Sequence, residues 1–176
     1  MLELRATSLA DTDAIAAALA AVSRPGDLIV LSGEMGAGKT AFAKGFGRAL
    51  GVTEPITSPT FTLVHTYEIG AGLGHGAKSL HHADLYRLDR TTEVADLALE
   101  ELAEYQGIVL VEWGDVVDAL FGDHLVVHLE PDASTEADDG NDSLTDTTRL
   151  IEISASGASW APRWSRLVEG CEEFRC

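Results

Sequence analysis

Eight consecutive residues, Gly33-Glu34-Met35-Gly36-Ala37-Gly38-Lys39-Thr40, follow the pattern G-x-x-x-x-G-K-[ST], whose chemistry is phosphate binding. Glycines at 33, 36 and 38 permit turns closed to other residues and let successive N–H groups approach phosphate oxygens. A helix opening at Lys39 adds the partial positive charge of its N-terminus. In such a loop Lys39 reaches the β- and γ-phosphates, and the Thr40 hydroxyl sits on Mg²⁺ between them. The competing interpretation is a glycine-rich turn with a solvated lysine. Only three lysines occur in the chain, and the flanking residues have the strand-then-helix pattern that the phosphate loop requires. The expected ligand is a nucleoside triphosphate with Mg²⁺.

Phosphoryl chemistry also requires an acidic group to hold the metal or its waters, usually at the end of an apolar strand beside the loop. Two candidates stand out. Glu112 directly follows the apolar run Ile108–Val111, and Asp84 closes His82-Ala83-Asp84, where His82 and Asp84 share a face by strand period. Glu112 could instead cap a helix starting at Asp115, and Asp84 could simply form a turn. His81 and His82 raise a transition-metal site as a further alternative, without a third ligand at a recognisable spacing. Thr57-Ser58-Pro59-Thr60-Phe61 places three hydroxyls around a proline between the loop's helix and the next strand. Segments that sense a γ-phosphate occupy that place; the alternative is an ordinary hairpin-entry turn, which needs Pro59 but not the three hydroxyls.

These residues must be held by a sheet. Leu28–Leu31 is a short apolar strand between Pro25-Gly26 and Gly33, and Phe42, Phe46, Ala49 and Leu50 recur at helical spacing before Gly51. Upstream, Leu2–Ala6 alternates as a strand. Ser8 and Asp11 start a helix whose apolar face is Leu9, Ile15, Ala18, Leu19 and Val22. Phe61–Tyr67 and Ser79–Tyr86 form a hairpin with a long, flexible tip at Gly70–Gly76. Thr92–Tyr105 is helical in pattern, Ile108–Val111 is a buried strand, Asp115–Leu120 is a short helix, and Leu125–Leu129 and Leu150–Ile153 are late strands. Between the last two, residues 131–148 carry six carboxylates and scarcely an apolar side chain, which predicts a mobile acidic loop. Pro162, Trp164, Leu167, Val168 and Cys171 outline a C-terminal helix. The alternation of strands and helices predicts a P-loop NTPase-like three-layer α/β sandwich, a mixed parallel and antiparallel sheet between helices, with residues 1–176 as one domain. Ligands on such sheets gather at the carboxyl ends of the strands.

The chain of 176 residues is 45% hydrophobic with 12 basic and 29 acidic residues, a net charge of −17. Such a charge repels a phosphate backbone, so strong direct nucleic-acid binding is not expected. No apolar run approaches the length of a membrane span, and Met1-Leu2-Glu3-Leu4-Arg5 lacks a signal-peptide layout. Cys171 and Cys176 follow no metal or disulfide spacing. The expectation is a soluble cytoplasmic protein with reduced thiols.

In combination, Gly33–Thr40, Thr57-Ser58-Pro59-Thr60-Phe61-Thr62-Leu63-Val64, His82-Ala83-Asp84-Leu85-Tyr86-Arg87-Leu88 and Val111-Glu112-Trp113 resemble the TsaE family, formerly YjeE, over roughly residues 1–130. The resemblance implies a weak, partner-dependent ATPase of the machinery that makes threonylcarbamoyladenosine in tRNA. In that family the protein acts on the TsaB–TsaD heterodimer and does not itself transfer the threonylcarbamoyl group, while TsaC supplies the activated adenylate. Carried onto this chain, Gly33, Gly36, Ala37, Gly38, Lys39, Thr40 and Ala41 contact ATP. Thr40 and Glu112 hold Mg²⁺, and Lys39 and Asp84 are catalytic, with Asp84 near the γ-phosphate. Trp113 lies beside the site, Thr57, Ser58 and Thr60 fall on a switch-like loop, and Leu9 and Thr12 lie near the adenine. The chain departs from the family after the Glu-Trp pair, where Gly114-Asp115 stands.

Three rival functions share the loop. A small-molecule or nucleotide kinase needs lid arginines, and only Arg87 and Arg90 lie together near the candidate site. A GTP switch needs Asn-Lys-x-Asp, and the one asparagine is Asn141 in the acidic stretch. A nucleotide-dependent scaffold with negligible hydrolysis would share every feature above.

Overall fold

Alternation along two neighbouring strands divides the interior into two cores. In β2 (Leu28–Ser32) and β5 (Gly107–Glu112) every residue is buried. Ile29, Leu31, Ile108 and Leu110 join one core, while Leu28, Val30, Val109 and Val111 join the other. Strands covered on both faces read as continuous apolar runs and belong at the parallel centre of a sheet. The computed structural model describes residues 1–59, 63–86, 97–113, 121–132 and 148–176.

The remaining strands are β1 (Leu2–Ala6), β3 (Val64–Glu68), β4 (Ser79–Asp84), β6 (His124–Pro131) and β7 (Arg149–Ser156). Together they form a seven-stranded sheet of order β1-β7-β6-β2-β5-β4-β3. The β2 pairings with β5 and β6, and that of β4 with β5, are parallel. Antiparallel pairs complete both wings, β1 with β7, β7 with β6, and β3 with β4. The mixed sheet with flanking helices is the architecture that the sequence predicts.

One face of the sheet carries α1 (Leu9–Val22), α2 (Lys39–Ala49) and α4 (Trp164–Gly170), whose Ile15, Leu19, Phe42, Phe46 and Leu167 are fully buried. The other face carries α3 (Leu99–Glu104) through Leu99 and Ala103. At the start of α1, Ser8 Oγ accepts from Asp11 N at 3.1 Å, and Asp11 Oδ2 accepts from the Thr7 hydroxyl and amide, both at 2.7 Å. The Thr7 bonds hold the Asp11 carboxyl below its usual range. The buried face of this helix is Thr12, Ile15, Ala16, Leu19, Ala20 and Val22. Leu9 is instead 55% exposed.

Close approach of α1 to α2 depends on Gly45, where an added Cβ would lie 2.7 Å from Asp13 Oδ1 and 3.2 Å from Ala16 Cβ. The loop entering β2 is tied to the C-terminal region by Asp27 and Arg163, a buried bidentate pair with both bonds at 2.5 Å. Arg163 also donates to Val22 O at 2.9 Å and stacks on Trp160 at 3.8 Å.

Three local features differ from the sequence expectation. The tip of the β3–β4 hairpin is docked rather than flexible: Gly70 N donates to Leu50 O at 2.9 Å, and His75 Nε2 donates to Ala21 O at 2.8 Å. Both acceptors are carbonyls near helix C-termini, a signal invisible to local composition. The helix expected over Thr92–Tyr105 is observed as Leu99–Glu104. Residues 97 and 98 are non-helical, with Ala98 at φ 49°, and 92–96 lie outside the described residues. The helix of the C-terminus begins with a 3₁₀ turn at Ala161–Arg163 that contains Pro162. The expected helix Asp115–Leu120 and acidic residues 133–147 lie outside the described residues. Among the described residues, no helix is long and apolar enough to cross a membrane.

Candidate functional site

The loop Gly33–Thr40 leaves the carboxyl end of β2 and runs into α2. Gly33 has φ 128°, and a Cβ there would collide with the Leu129 carbonyl, so position 33 admits glycine alone. Gly36 and Gly38 also have positive φ, 83° and 110°. Phe42 N closes the first helical bond onto Gly38 O at 2.9 Å. The amides of Lys39, Thr40 and Ala41 therefore precede the intrahelical ladder, a ready donor set for an anion.

Lys39 is 4% exposed. Its Nζ donates to Gly33 O at 2.7 Å and Glu34 O at 2.9 Å, and sits 3.6 Å from the centroid of the Trp113 ring. The ammonium is thus folded back across its own loop, stabilised by carbonyl dipoles and the indole face. Trp113 is held in a left-handed conformation, φ 63°, by Trp113 N donating to Leu31 O at 3.1 Å, and its ring lies 4.9 Å from that of Tyr86.

Two carboxylates stand opposite. Glu112 ends β5 directly beside Leu31 on one neighbour and Asp84 on the other. Both acids are buried, at 3% and 4% exposure. Thr40 Oγ1 donates to Glu112, at 2.9 Å from Oε1 and 3.0 Å from Oε2, and His82 Nε2 donates to Oε1 at 2.9 Å. This bond sets the His82 tautomer with hydrogen on Nε2. Its Nδ1 is buried without a partner among the described residues. Asp84 accepts from Ser58 Oγ at 2.6 Å and from Tyr86 N at 3.0 Å. Its own amide donates to the carbonyl of Leu63, a residue at φ 64°.

These groups surround one open cleft of about 360 Å³, lined by Met35, Gly36, Gly38, Lys39, Thr40, Ala41, Ser58, Asp84, Tyr86, Glu112 and Trp113. Gly33 and Ala37 are not among the residues lining the cleft; the Gly33 carbonyl accepts from Lys39, and Ala37 is buried at 1% exposure. Thr57 lines a separate groove with Lys44 and Arg48. Leu9 and Thr12 are not among the residues lining the cleft; Thr12 is buried, with its hydroxyl 3.3 Å from Ser8 O. Thr60, Arg87, Arg90 and Gly114-Asp115 lie outside the described residues.

His81 turns away from the cleft, 2.9 Å from Thr66 Oγ1, and burial pushes its pKa down. Among the described residues no cluster of three ligands suits a metal held by protein alone. A hydroxyl and a carboxylate in contact are instead the hard-oxygen pair that suits Mg²⁺ carried on phosphate. The residues present fit that ion.

Two contributors to this site had weak sequence signals. Tyr86 belongs to the His82–Leu88 motif without an assigned role, although its two-residue offset from Asp84 places it at the same strand end. Arg149 approaches the loop from the start of β7, donating through Nε to Ala37 O at 3.0 Å. No local pattern connects residues so far apart in the chain.

Residues 6–139 match the family model described as "Threonylcarbamoyl adenosine biosynthesis protein TsaE". The tRNA threonylcarbamoyladenosine biosynthesis protein TsaE of Bacillus subtilis is 41% identical over 117 residues, 66% of this chain and 69% of the relative. Its counterpart of the same name from Streptomyces coelicolor is 36% identical over 145 residues, 81% and 89% respectively. Among solved structures, Bacillus subtilis YdiB superposes with a TM-score of 0.68 at 31% identity, covering 98% of this chain and 94% of that one. The loop, the paired strand-end acids and the tryptophan after Glu112 thus sit inside a match spanning most of the chain, which belongs to the TsaE family of threonylcarbamoyladenosine biosynthesis proteins.

Proposed function

We propose that this chain binds Mg²⁺-ATP in the cleft beside Gly33–Thr40, hydrolyses it slowly, and uses that cycle to support threonylcarbamoyladenosine modification of tRNA by acting on the TsaB–TsaD complex. The observation that carries the reading is the convergence of Lys39, Thr40, Asp84 and Glu112, from two strand ends and one helix start, on a single cleft. Loop amides hold phosphate oxygens. Lys39 exchanges the Gly33 and Glu34 carbonyls for the β- and γ-phosphates, a trade of dipoles for full charges. Thr40 and Glu112 hold the metal or its waters, and His82 fixes the Glu112 carboxylate in place. Magnesium, when bound, neutralises charge on the triphosphate. Asp84, aligned by Ser58 and Tyr86 N, orients or deprotonates the attacking water. A chain with a net charge of −17 works on a tRNA-modifying complex through protein partners rather than by gripping RNA.

The test pairs two measurements: capture of purified TsaB–TsaD by the tagged chain with and without ATP, and ATP turnover of wild type and Asp84→Ala with and without that pair. The reading predicts nucleotide-dependent capture, slow turnover alone, and loss of turnover in the variant. Capture in neither state removes the partner. Turnover unchanged by Asp84→Ala assigns the chain to nucleotide-ordered scaffolding instead.

A further inference from the structure

The Ala37–Gly38 peptide plane is free to turn at its glycine, and a residue outside the loop holds it. The Ala37–Gly38 peptide precedes a glycine at φ 110°, which tolerates either orientation of that plane. In a trans peptide the carbonyl and the N–H point in opposite directions. Arg149 Nε donates to Ala37 O at 3.0 Å, turning that carbonyl toward the β6–β7 side. The Gly38 N–H is thereby aimed the other way, toward the cleft that Gly38, Lys39 and Thr40 line. The guanidinium is itself fixed, with Nη1 donating to Thr148 O at 2.8 Å. Arg149 and Leu129 wall the back of the loop: a Cβ added at Gly38 would lie 3.9 Å from Arg149 Nε and 3.8 Å from Leu129 Cδ2. Arg149 lies beyond the residues 6–139 that the family model covers.

We infer that Arg149 is a positioning residue for phosphate binding: it presets the Ala37–Gly38 peptide with its amide toward the ligand. This inference rests on the nucleotide reading of the cleft. A flipped plane would present the Ala37 carbonyl to the phosphates, so its anchor removes a reorganisation cost from binding.

Titration calorimetry of Mg²⁺-ADP and of Mg²⁺-tripolyphosphate, a probe without a nucleoside, into wild type, Arg149→Gln and Arg149→Lys tests it. Arg149→Gln should weaken both ligands by a similar factor, about tenfold, the size of one hydrogen bond to a charged group. The Gly38 amide resonance of the nucleotide-free protein should move in both variants, because one ammonium cannot bridge the Ala37 and Thr148 carbonyls as the guanidinium does. Wild-type binding with equal affinity in Arg149→Gln overturns the role of Arg149 and leaves the nucleotide reading standing. Full affinity and an unmoved Gly38 resonance in Arg149→Lys would assign the effect to charge alone and overturn the positioning. Absence of binding by wild type defeats the nucleotide reading itself, and the inference with it.

Discussion

Replacing Glu112 by glutamine separates what the carboxylate does for the fold from what it does for the metal. Glu112 accepts from Thr40 Oγ1 and His82 Nε2 while only 3% exposed. A glutamine can keep its oxygen toward His82 and turn its amide to the Thr40 hydroxyl, which accepts as readily as it donates. The exchange weakens charge-assisted bonds by about 1 kcal/mol and relieves the burial of a carboxylate by a similar amount. The expected net change is about 1 kcal/mol or less, and melting moves by roughly 2–4 °C at most for a chain of this size. Magnesium tells a different story. Losing an oxygen that holds the ion or its waters costs about 10–100-fold in metal-dependent affinity. Calorimetric titration of ADP with and without Mg²⁺ should therefore show the magnesium advantage of wild type collapsing in Glu112→Gln, with metal-free affinity preserved. A variant that melts normally and keeps the full magnesium advantage would refute this reasoning and return Glu112 to a purely structural role.

Three further outcomes follow from the packing. Asp27→Ala leaves the Arg163 guanidinium buried without its bidentate partner, so urea denaturation should show a loss of about 3–5 kcal/mol. Gly33→Ala must relieve both φ 128° and the collision with Leu129 O, a strain of roughly 1–3 kcal/mol, and should abolish nucleotide binding with the loop displaced in a crystal structure. Burial pushes the Cys171 thiol up to about 11, whereas Cys176 is exposed; at pH 8 a thiol reagent should therefore modify one cysteine in the native chain and two after denaturation.

Much of the fold was legible because its signals are local. The central strands Leu28–Ser32 and Gly107–Glu112 are short, apolar and bounded by turn residues, and both lie close to where period and punctuation place them. The cap at Ser8 and the helix start at Lys39 likewise rest on neighbours within four residues. What escaped depended on distant partners. The Gly70–Gly76 tip has a flexible composition, yet Leu50 O and Ala21 O dock it. Leu9 matches the apolar period of its helix but is exposed, since period does not say which turns of a helix meet a neighbour. Asp84 and Glu112 were each readable as strand-end acids. Their adjacency arises from the parallel pairing of β4 with β5, which no spacing along the chain encodes. Arg149 illustrates the same limit, reaching the loop only through the register of the far wing.

The central claim is that loop amides and one ammonium group gather around a nucleotide's phosphates. Isothermal titration of Mg²⁺-ATP into the full chain, beside Lys39→Ala, tests it most directly. Saturable one-to-one binding in wild type, weakened at least about a hundredfold when two charge-assisted contacts to phosphate are removed, is the predicted result. No heat in wild type, or equal affinity without the Lys39 ammonium, would contradict it.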